Sequence, residues 1–216
     1  MASNVEWLLR EATDERVLQM SQRSEIDDAS WKATIERIDI GAGLRVFLTE
    51  AEARRDVTVE ARDDRTDQWI GSQVTIAGSA DMDFLDGTRA RSTPDSALLF
   101  RSISRKAAYS LKAGTHYRTA GYGIDIDRVS RLFDDDIPAA LKSLLEPDAD
   151  RSRIVAMRAG RVMRGVAATL LTADLNGPLR TLMLEGAVVQ LLALQAAAAD
   201  LPQALRQRGL GKRERD

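Results

Sequence analysis

The segment at residues 177–195, GPLRTLMLEGAVVQLLALQ, constrains the fold of this chain more than any other. Asn176 can cap the first amides, and Pro178 is tolerated in a first helical turn. Apolar residues then recur at three- and four-residue spacing on two faces, while Arg180 and Glu185 belong to a narrow polar strip. A helix that is apolar nearly all round must be covered on more than one side. It is therefore either a central core helix or a helix that packs on its own domain and on a second subunit.

Composition excludes several classes of protein. The chain has 216 residues, enough for one large domain or for a domain with a helical appendage, and a net charge of −2, which argues against a general polyanion binder. No uninterrupted apolar run reaches the roughly 18 residues that span a membrane, and the first ten residues lack a signal-peptide pattern. The sequence contains no cysteine, so disulfides and thiolate chemistry are excluded. We predict a cytoplasmic protein with no membrane partner.

Residues 31–126 have the pattern of an all-β domain. A glycine-bearing turn at residues 41–43 separates two extended runs, which predicts a hairpin. The clearest strand pattern covers residues 73–84, and Gly78 in its middle predicts a bulge or bend of the kind that barrels need at corners. Turns recur at roughly ten-residue spacing, which favours a sandwich or barrel over βαβ units.

The first thirty residues have a different pattern. Ser3 or Asn4 could cap a short helix that carries Val5, Leu8 and Leu9, and a polar link follows. We interpret residues 1–30 as a loosely docked N-terminal arm.

Beyond residue 126 the pattern is helical. Short helices are predicted near residues 128–133 and 137–145, and Asp150 is predicted to cap a longer helix that ends at Thr172. That helix would form a hairpin with the apolar helix from residue 177. The predicted fold class is therefore α+β, with an antiparallel sandwich or barrel followed by a helical segment.

The residue types offer little to a metal or to catalysis. His116 is the only histidine, so a zinc or iron centre would have to be built from one imidazole and carboxylates. The sequence contains no P-loop, no G-x-G-x-x-G before a helix and no G-x-S-x-G elbow. We predict no metal, no cofactor and no catalytic residue.

Aromatic residues are scarce and fall mostly in the β region. They could form the core of a barrel or the wall of a small-molecule cavity. Arg101 lies on a predicted strand, where it could meet an anionic ligand or face water, and strand parity alone does not decide between them. The predicted ligand-binding residues are Trp69, Arg101, Tyr109, His116 and Tyr122.

Several stretches resemble one family of proteins. They are IGAGLRV at residues 40–46, YSLKAG at 109–114, GPLRTLMLEG at 177–186, QLLALQ at 190–195 and the basic tail at 210–216. Together they are similar to the sensor region of AraC/XylS-family transcriptional regulators, in particular the branch typified by siderophore-responsive PchR-like regulators. The likeness is diffuse in the β region and more specific in the last helices.

The resemblance implies a domain organisation. Residues 31–126 would form a cupin-like antiparallel β-barrel that binds an effector, 127–205 a helical dimerisation segment, and 206–216 the start of a linker to a helix-turn-helix domain absent from this sequence. Family members continue with two helix-turn-helix units, so we expect either part of a longer regulator or a sensor-only variant. The implied partners are a small-molecule effector, siderophore-like molecules included, a second copy of the chain, and DNA only through the absent domain.

The resemblance leads to a hypothesis of a non-enzymatic regulator. An effector in the barrel would shift the arm or the helical hairpin between two arrangements, and a dimer helix would pass that change on. The predicted dimer interface is Leu182, Val189 and Leu192. One alternative is a non-metal cupin enzyme, an isomerase or lyase that uses His116 with a carboxylate such as Asp125. Another is a dimerisation module without a ligand.

Overall fold

Two antiparallel sheets lie face to face, and helices cover the outer face of one of them. The computed structural model describes residues 5–10, 15–41, 43–62, 69–84, 86–101, 107–134, 136–146, 152–172 and 175–200. Side chains from both sheets meet in one apolar cluster, in which Leu9 and Val57 of one sheet pack with Trp31 and Ala51 of the other.

The described part of the chain contains thirteen strands. They are β1 Val5–Arg10, β2 Glu15–Met20, β3 Arg23–Asp27, β4 Trp31–Gly41, β5 Leu44–Ala53, β6 Val57–Arg62, β7 Trp69–Ala77, β8 Ala80–Phe84, β9 Arg89–Ser92, β10 Ser96–Arg101, β11 Ala107–Leu111, β12 His116–Asp125 and β13 Arg153–Arg158. The six-stranded sheet has the order β2-β1-β6-β11-β8-β9, and the seven-stranded sheet has the order β13-β10-β7-β12-β5-β4-β3. The hairpin predicted around residues 41–43 is confirmed by the antiparallel pairing of β4 with β5.

Four helices are present among the described residues, and they follow the main body of strands. They are α1 Ile126–Leu132, α2 Ala139–Leu145, α3 Arg161–Thr172 and α4 Gly177–Asp200. They cover the outer face of the seven-stranded sheet and form the largest apolar cluster of the molecule with it. The predicted α+β class is confirmed, and the helices follow every strand except β13, which lies between α2 and α3.

Alternation along β12 separates the two faces of the seven-stranded sheet. Tyr117 points into the interior between the sheets, whereas Ala120, Tyr122 and Ile124 point towards the helices. Successive side chains of a strand point to opposite faces, and here both faces are buried over the central strands. The interior and the helical layer are thus separated by a single thickness of sheet.

The helix predicted from residue 177 is confirmed as α4. By length and composition alone α4 could also cross a membrane, but one face of it packs on the seven-stranded sheet. Two ion pairs fix its first half. Arg180 forms a two-pronged pair with Glu36 of β4 at 2.8 and 3.0 Å, and Glu185 pairs with Arg128 of α1. The apolar composition of α4 therefore reflects packing on this domain, and its outer face remains exposed.

The prediction of a helix in the first thirty residues is wrong. Residues 5–10 form β1, which pairs with β6, and residues 23–27 form β3, which pairs with β4. Leu8 and Leu9 are buried, and sheet pairing with their burial outweighs a weak helical spacing. The segment thus belongs to both sheets and is not loosely docked. Ser3 and Asn4 lie outside the described residues.

The prediction of one helix from Asp150 to Thr172 is also wrong. Residues 153–158 form β13, which pairs with β10 at the edge of the seven-stranded sheet, and α3 begins only at Arg161. Ile154 and Val155 are β-branched residues that suit a strand. Asp150 lies outside the described residues.

The bend predicted at Gly78 is confirmed. There the chain leaves β7 in the seven-stranded sheet and enters β8 in the six-stranded sheet. Gly78 has a φ of +71°, and a Cβ atom at this position would overlap the backbone carbonyl of His116. Only glycine fits this corner without strain.

We predict that Gly78→Ala destabilises the fold by about 3 kcal/mol or more, because backbone strain and a backbone collision add together. Gly87→Ala is the matched control. Gly87 has a φ of +81°, but nothing lies within 4 Å of its missing Cβ, so it should lose only about 1 kcal/mol. Urea unfolding of the two variants measures the difference, and equal losses would contradict a steric role for the corner.

Candidate functional site

An aromatic cluster lines one end of the interior between the sheets. We define it as Phe47 of β5, Trp69 of β7 and Phe100 of β10, together with Arg45 of β5. The guanidinium carbon of Arg45 lies 4.4 Å from the centre of the Trp69 ring, a cation–π arrangement. Phe47 is 40% exposed, so the cluster is open to solvent.

Glycines form the floor beneath these rings. A Cβ on Gly71 would overlap the Phe100 ring, and a Cβ on Gly123 would lie 3.0 Å from the Trp69 ring and 3.4 Å from the Phe47 ring. Gly71 and Gly123 are paired across β7 and β12. Two neighbouring glycines leave the sheet without side chains at this point, and the rings occupy that space.

A buried polar network lies deeper in the interior. The Gln73 amide nitrogen donates to the Tyr117 hydroxyl at 2.5 Å and to the Ser92 hydroxyl at 2.8 Å, and Thr75 hydrogen-bonds Ser92. All four side chains are buried. The interior therefore combines an apolar, aromatic end with polar groups, the usual composition of a small-molecule site.

Two of the five predicted ligand-binding residues face this interior. Trp69 belongs to the aromatic cluster, and its indole nitrogen is buried with no hydrogen-bond partner. Tyr109 of β11 reaches in from the opposite sheet and packs, like Phe100, against the cluster of Met82 and its neighbours. Burial raises the pKa of the Tyr109 hydroxyl, with a smaller contribution from Tyr117. Tyr109, like any tyrosine whose pKa is 10 or above, is neutral at physiological pH.

Arg101 does not face the interior. Its guanidinium donates to the carbonyl oxygens of Leu144, Leu145 and Glu146 at 3.1, 2.8 and 3.0 Å. These are the carbonyls at the end of α2, which a cation stabilises. Arg101 holds α2 on the sheet, so the structure assigns it a capping role away from the candidate site.

His116 lies on the outer face of the seven-stranded sheet, away from the interior. Its imidazole is exposed and 3.8 Å from Glu50, beside a surface groove that Lys32 and Glu52 also line. Asp125 is at the other end of the ten-residue strand β12, where it caps α1, so the two residues are roughly 30 Å apart. An acid–base pair of His116 and Asp125 on one substrate is geometrically excluded.

Tyr122 faces the helices rather than the interior. It is 1% exposed, and its hydroxyl donates to the side-chain oxygen of Gln195 in α4 at 2.7 Å. Ser72 of β7 donates to the same oxygen at 3.0 Å. Burial raises the pKa of the Tyr122 hydroxyl. Tyr122 connects the sheet to α4 and cannot touch a ligand in the interior.

Sequence reasoning missed Arg45, Phe47, Phe100 and Gln73 as residues of the site. The strand pattern at residues 73–84 contained one signal for Gln73. Gln73 and Thr75 lie on the polar side of that pattern, and in the structure this side points inward. Within the described residues, no group of three or more histidine, aspartate or glutamate side chains is placed to hold a metal ion.

Comparison with known proteins identifies the family. Residues 31–210 match the family model described as the regulatory protein PchR N-terminal domain. The chain belongs to this family. The match confirms the resemblance to the PchR-like branch of AraC/XylS regulators, and the two facing antiparallel sheets with C-terminal helices are the cupin-like fold that the resemblance implied. A search of curated proteins found no match.

Solved structures show more distant similarity. The AraC-like transcriptional activator CuxR is 9% identical, with a TM-score of 0.47 over 80% of this chain, and the match spans 57% of CuxR. A Cupin_2 domain of an XRE-family transcriptional regulator from Enterobacter cloacae is 17% identical, with a TM-score of 0.34 over 43% of this chain and 95% of that one. Ectoine synthase from P. lautus is 16% identical, with a TM-score of 0.32 over 47% of this chain and 68% of that one.

The chain's three tyrosines allow a test of the buried interior. Burial raises the pKa of Tyr109, Tyr117 and Tyr122. An unfolded tyrosine loses its proton near pH 10, so the tyrosines stabilise the fold fully below about pH 10 and lose that contribution as the pH rises further. We predict that tyrosinate absorbance appears only together with alkaline unfolding. The urea-unfolded chain should titrate near pH 10, and a native titration step near that pH would contradict the burial.

Proposed function

We propose that this chain is the effector-sensing and dimerisation part of an AraC-family transcriptional regulator. The observation that carries the proposal is the aromatic cluster, where Arg45 stacks on Trp69 above Gly71 and Gly123 at an open end of the interior. Because the chain belongs to a family of regulatory N-terminal domains, we expect a ligand bound at this cluster to act in regulation.

The chemistry of the cluster favours a planar, aromatic and anionic effector. The exposed faces of the aromatic rings accept a flat apolar surface, and the Arg45 guanidinium, which also pairs with Asp39 at 3.5 Å, attracts a carboxylate or phenolate. Tyr109 and the polar network that includes Gln73 offer hydrogen bonds deeper in the interior. A siderophore-like molecule with such groups meets these requirements, and Trp69 and Tyr109 remain its proposed contacts from the predicted set.

The outer face of α4 supports a homodimer. Leu179, Leu182 and Val189 are exposed along one side of it, at 65%, 68% and 37%, and the exposed Gly186 between them allows close approach of a second helix. Leu192 is 1% exposed and packs in the domain's own core, so the part of the predicted interface that used it is wrong. Each Å² of apolar surface buried between two copies stabilises the dimer by roughly 25 cal/mol.

We propose regulation by binding, without catalysis, and the position of the histidine supports this. The one histidine lies on the outer face, far from the aromatic cluster and from Asp125. We propose that the regulator acts in the cytoplasm and contacts DNA only through a helix-turn-helix domain outside this sequence. The effector's preference for one arrangement of the helices would set the activity of that domain.

Ligand binding can be tested with a panel of aromatic carboxylates, phenolates and ferric complexes of phenolate chelators. We expect members of the panel to raise the melting temperature, because a ligand that binds only the folded state stabilises it. Arg45→Met should weaken binding by about tenfold or more through loss of a charged contact. Arg23→Met, at an exposed arginine of β3 paired with Glu25, should leave affinity unchanged. If no compound shifts the melting temperature, the ligand-free dimerisation module is favoured instead.

Dimerisation can be tested by sedimentation equilibrium. Leu182→Glu with Val189→Glu should convert a dimer to a monomer, because two charges would be buried without partners, while the free energy of unfolding of the monomer should change little. Val17→Glu places the same charge at a 53% exposed valine of β2 and should leave the dimer intact. A wild-type chain that is monomeric, or a double variant that is still dimeric, would contradict this interface.

A further inference from the structure

A buried glutamine joins α4 to the two strands that carry the glycine floor. Gln195 is completely buried, and its side-chain oxygen accepts hydrogen bonds from Tyr122 and Ser72. Ser72 and Tyr122 face each other across β7 and β12. We call these three residues the Gln195 node.

Packing alone does not explain the glutamine. The other buried residues of α4 are alanine, valine and leucine, and Gln195 is the single polar residue among them. Its amide nitrogen is buried without a hydrogen-bond partner. A half-satisfied buried amide stabilises a core less than an apolar side chain of similar shape. The node therefore holds α4 by two hydrogen bonds at a cost that an apolar residue would avoid.

The other face of the same strands lies beneath the aromatic cluster. Ser72 directly follows Gly71, on which the Phe100 ring rests, and Tyr122 lies between Gly121 and Gly123. At Gly121 the two strands are so close that a Cβ would overlap the Ser72 carbonyl oxygen. A displacement of the rings therefore acts on backbone that is one residue away from the node.

The other polar ties of α4 lead elsewhere. Arg180 pairs with Glu36 of β4, and Glu185 pairs with Arg128 of α1, both in the first half of the helix. At the other end, the Asp200 carboxylate accepts a hydrogen bond from the backbone N–H of Ala140 in α2 at 2.9 Å. The node is the polar tie, among the described residues, that runs from the second half of α4 to β7 and β12.

The geometry points to the Gln195 node as the device that couples the aromatic cluster to α4. With both hydrogen bonds made, the second half of α4 is held on β7 and β12. A shift of these strands at Gly71 and Gly121 breaks the bonds and releases that half of the helix. The use of this coupling by an effector rests on the proposed function, but the coupling itself is a property of the chain and can be measured without a ligand.

Variants on the two faces of the sheet test the coupling. Gln195→Met removes the acceptor and keeps the shape, and Gln190→Met is its control on the exposed side of α4. The protein is labelled with fluorotryptophan, and the fluorine resonance of Trp69 is assigned with the Trp69→Phe variant. Gln195→Met should shift this resonance, whereas Gln190→Met should leave it in place. An unmoved Trp69 resonance in a folded Gln195→Met protein would overturn the proposal.

The reverse direction uses hydrogen exchange. Phe100→Leu removes the ring above Gly71 and should speed exchange of the α4 amides at residues 191–199 by roughly tenfold, the effect of losing about one buried hydrogen bond. In a Gln195→Met background this acceleration should disappear, and equal acceleration in both backgrounds would overturn the coupling. Tyr122→Phe, which removes one hydroxyl, replaces Gln195→Met if that variant does not fold. If hydrogen exchange shows the coupling but no compound of the ligand panel binds, the proposed effector is rejected and the coupling is retained.

Discussion

Burial of β7 and β12 on both faces is the constraint on which the rest of this structure depends. Their inward residues, such as Gln73, belong to the interior between the sheets, and their outward residues, such as Tyr122, belong to the helical layer. Polar groups on strands buried on both sides are costly unless they are hydrogen-bonded, which accounts for the hydrogen-bonded networks on each face. The same strands thereby separate a candidate ligand site from a candidate dimer helix by one layer of backbone.

Glycine makes this arrangement fit. At Gly71 and Gly123 the missing side chains let the Phe100 and Trp69 rings lie directly on the sheet, and at Gly78 a positive φ turns the chain from one sheet into the other. The result is an interior with an aromatic end, where Arg45 lies over Trp69, that is open to solvent at Phe47. The contacts between these strands and α4 are short, because Tyr122 and Ser72 hydrogen-bond Gln195 directly.

The candidate site was only partly predictable from sequence. Trp69 and Tyr109 face the interior, as expected of aromatic residues that form a cavity wall or a core within a β region, and their contact with a ligand stays a prediction. Arg101, His116 and Tyr122 lie on the opposite face. The sequence did not reveal this, because a period of two tells which residues share a face but not which face is inward. When both faces are buried, hydrophobicity no longer distinguishes them, and Arg45 could not be recognised as part of a site.

The sequence by itself determined the order of strands before helices, the corner at Gly78 and the apolar helix from residue 177, because these depend on local periodicity and glycine geometry. Its motifs also determined the family. Only the tertiary structure decided that residues 5–10 and 153–158 are strands, since their pairing partners are distant in the chain and supply the burial that outweighs local preference. It alone decided which side of α4 stays exposed, because that depends on where the sheet lies and not on the helix's own composition.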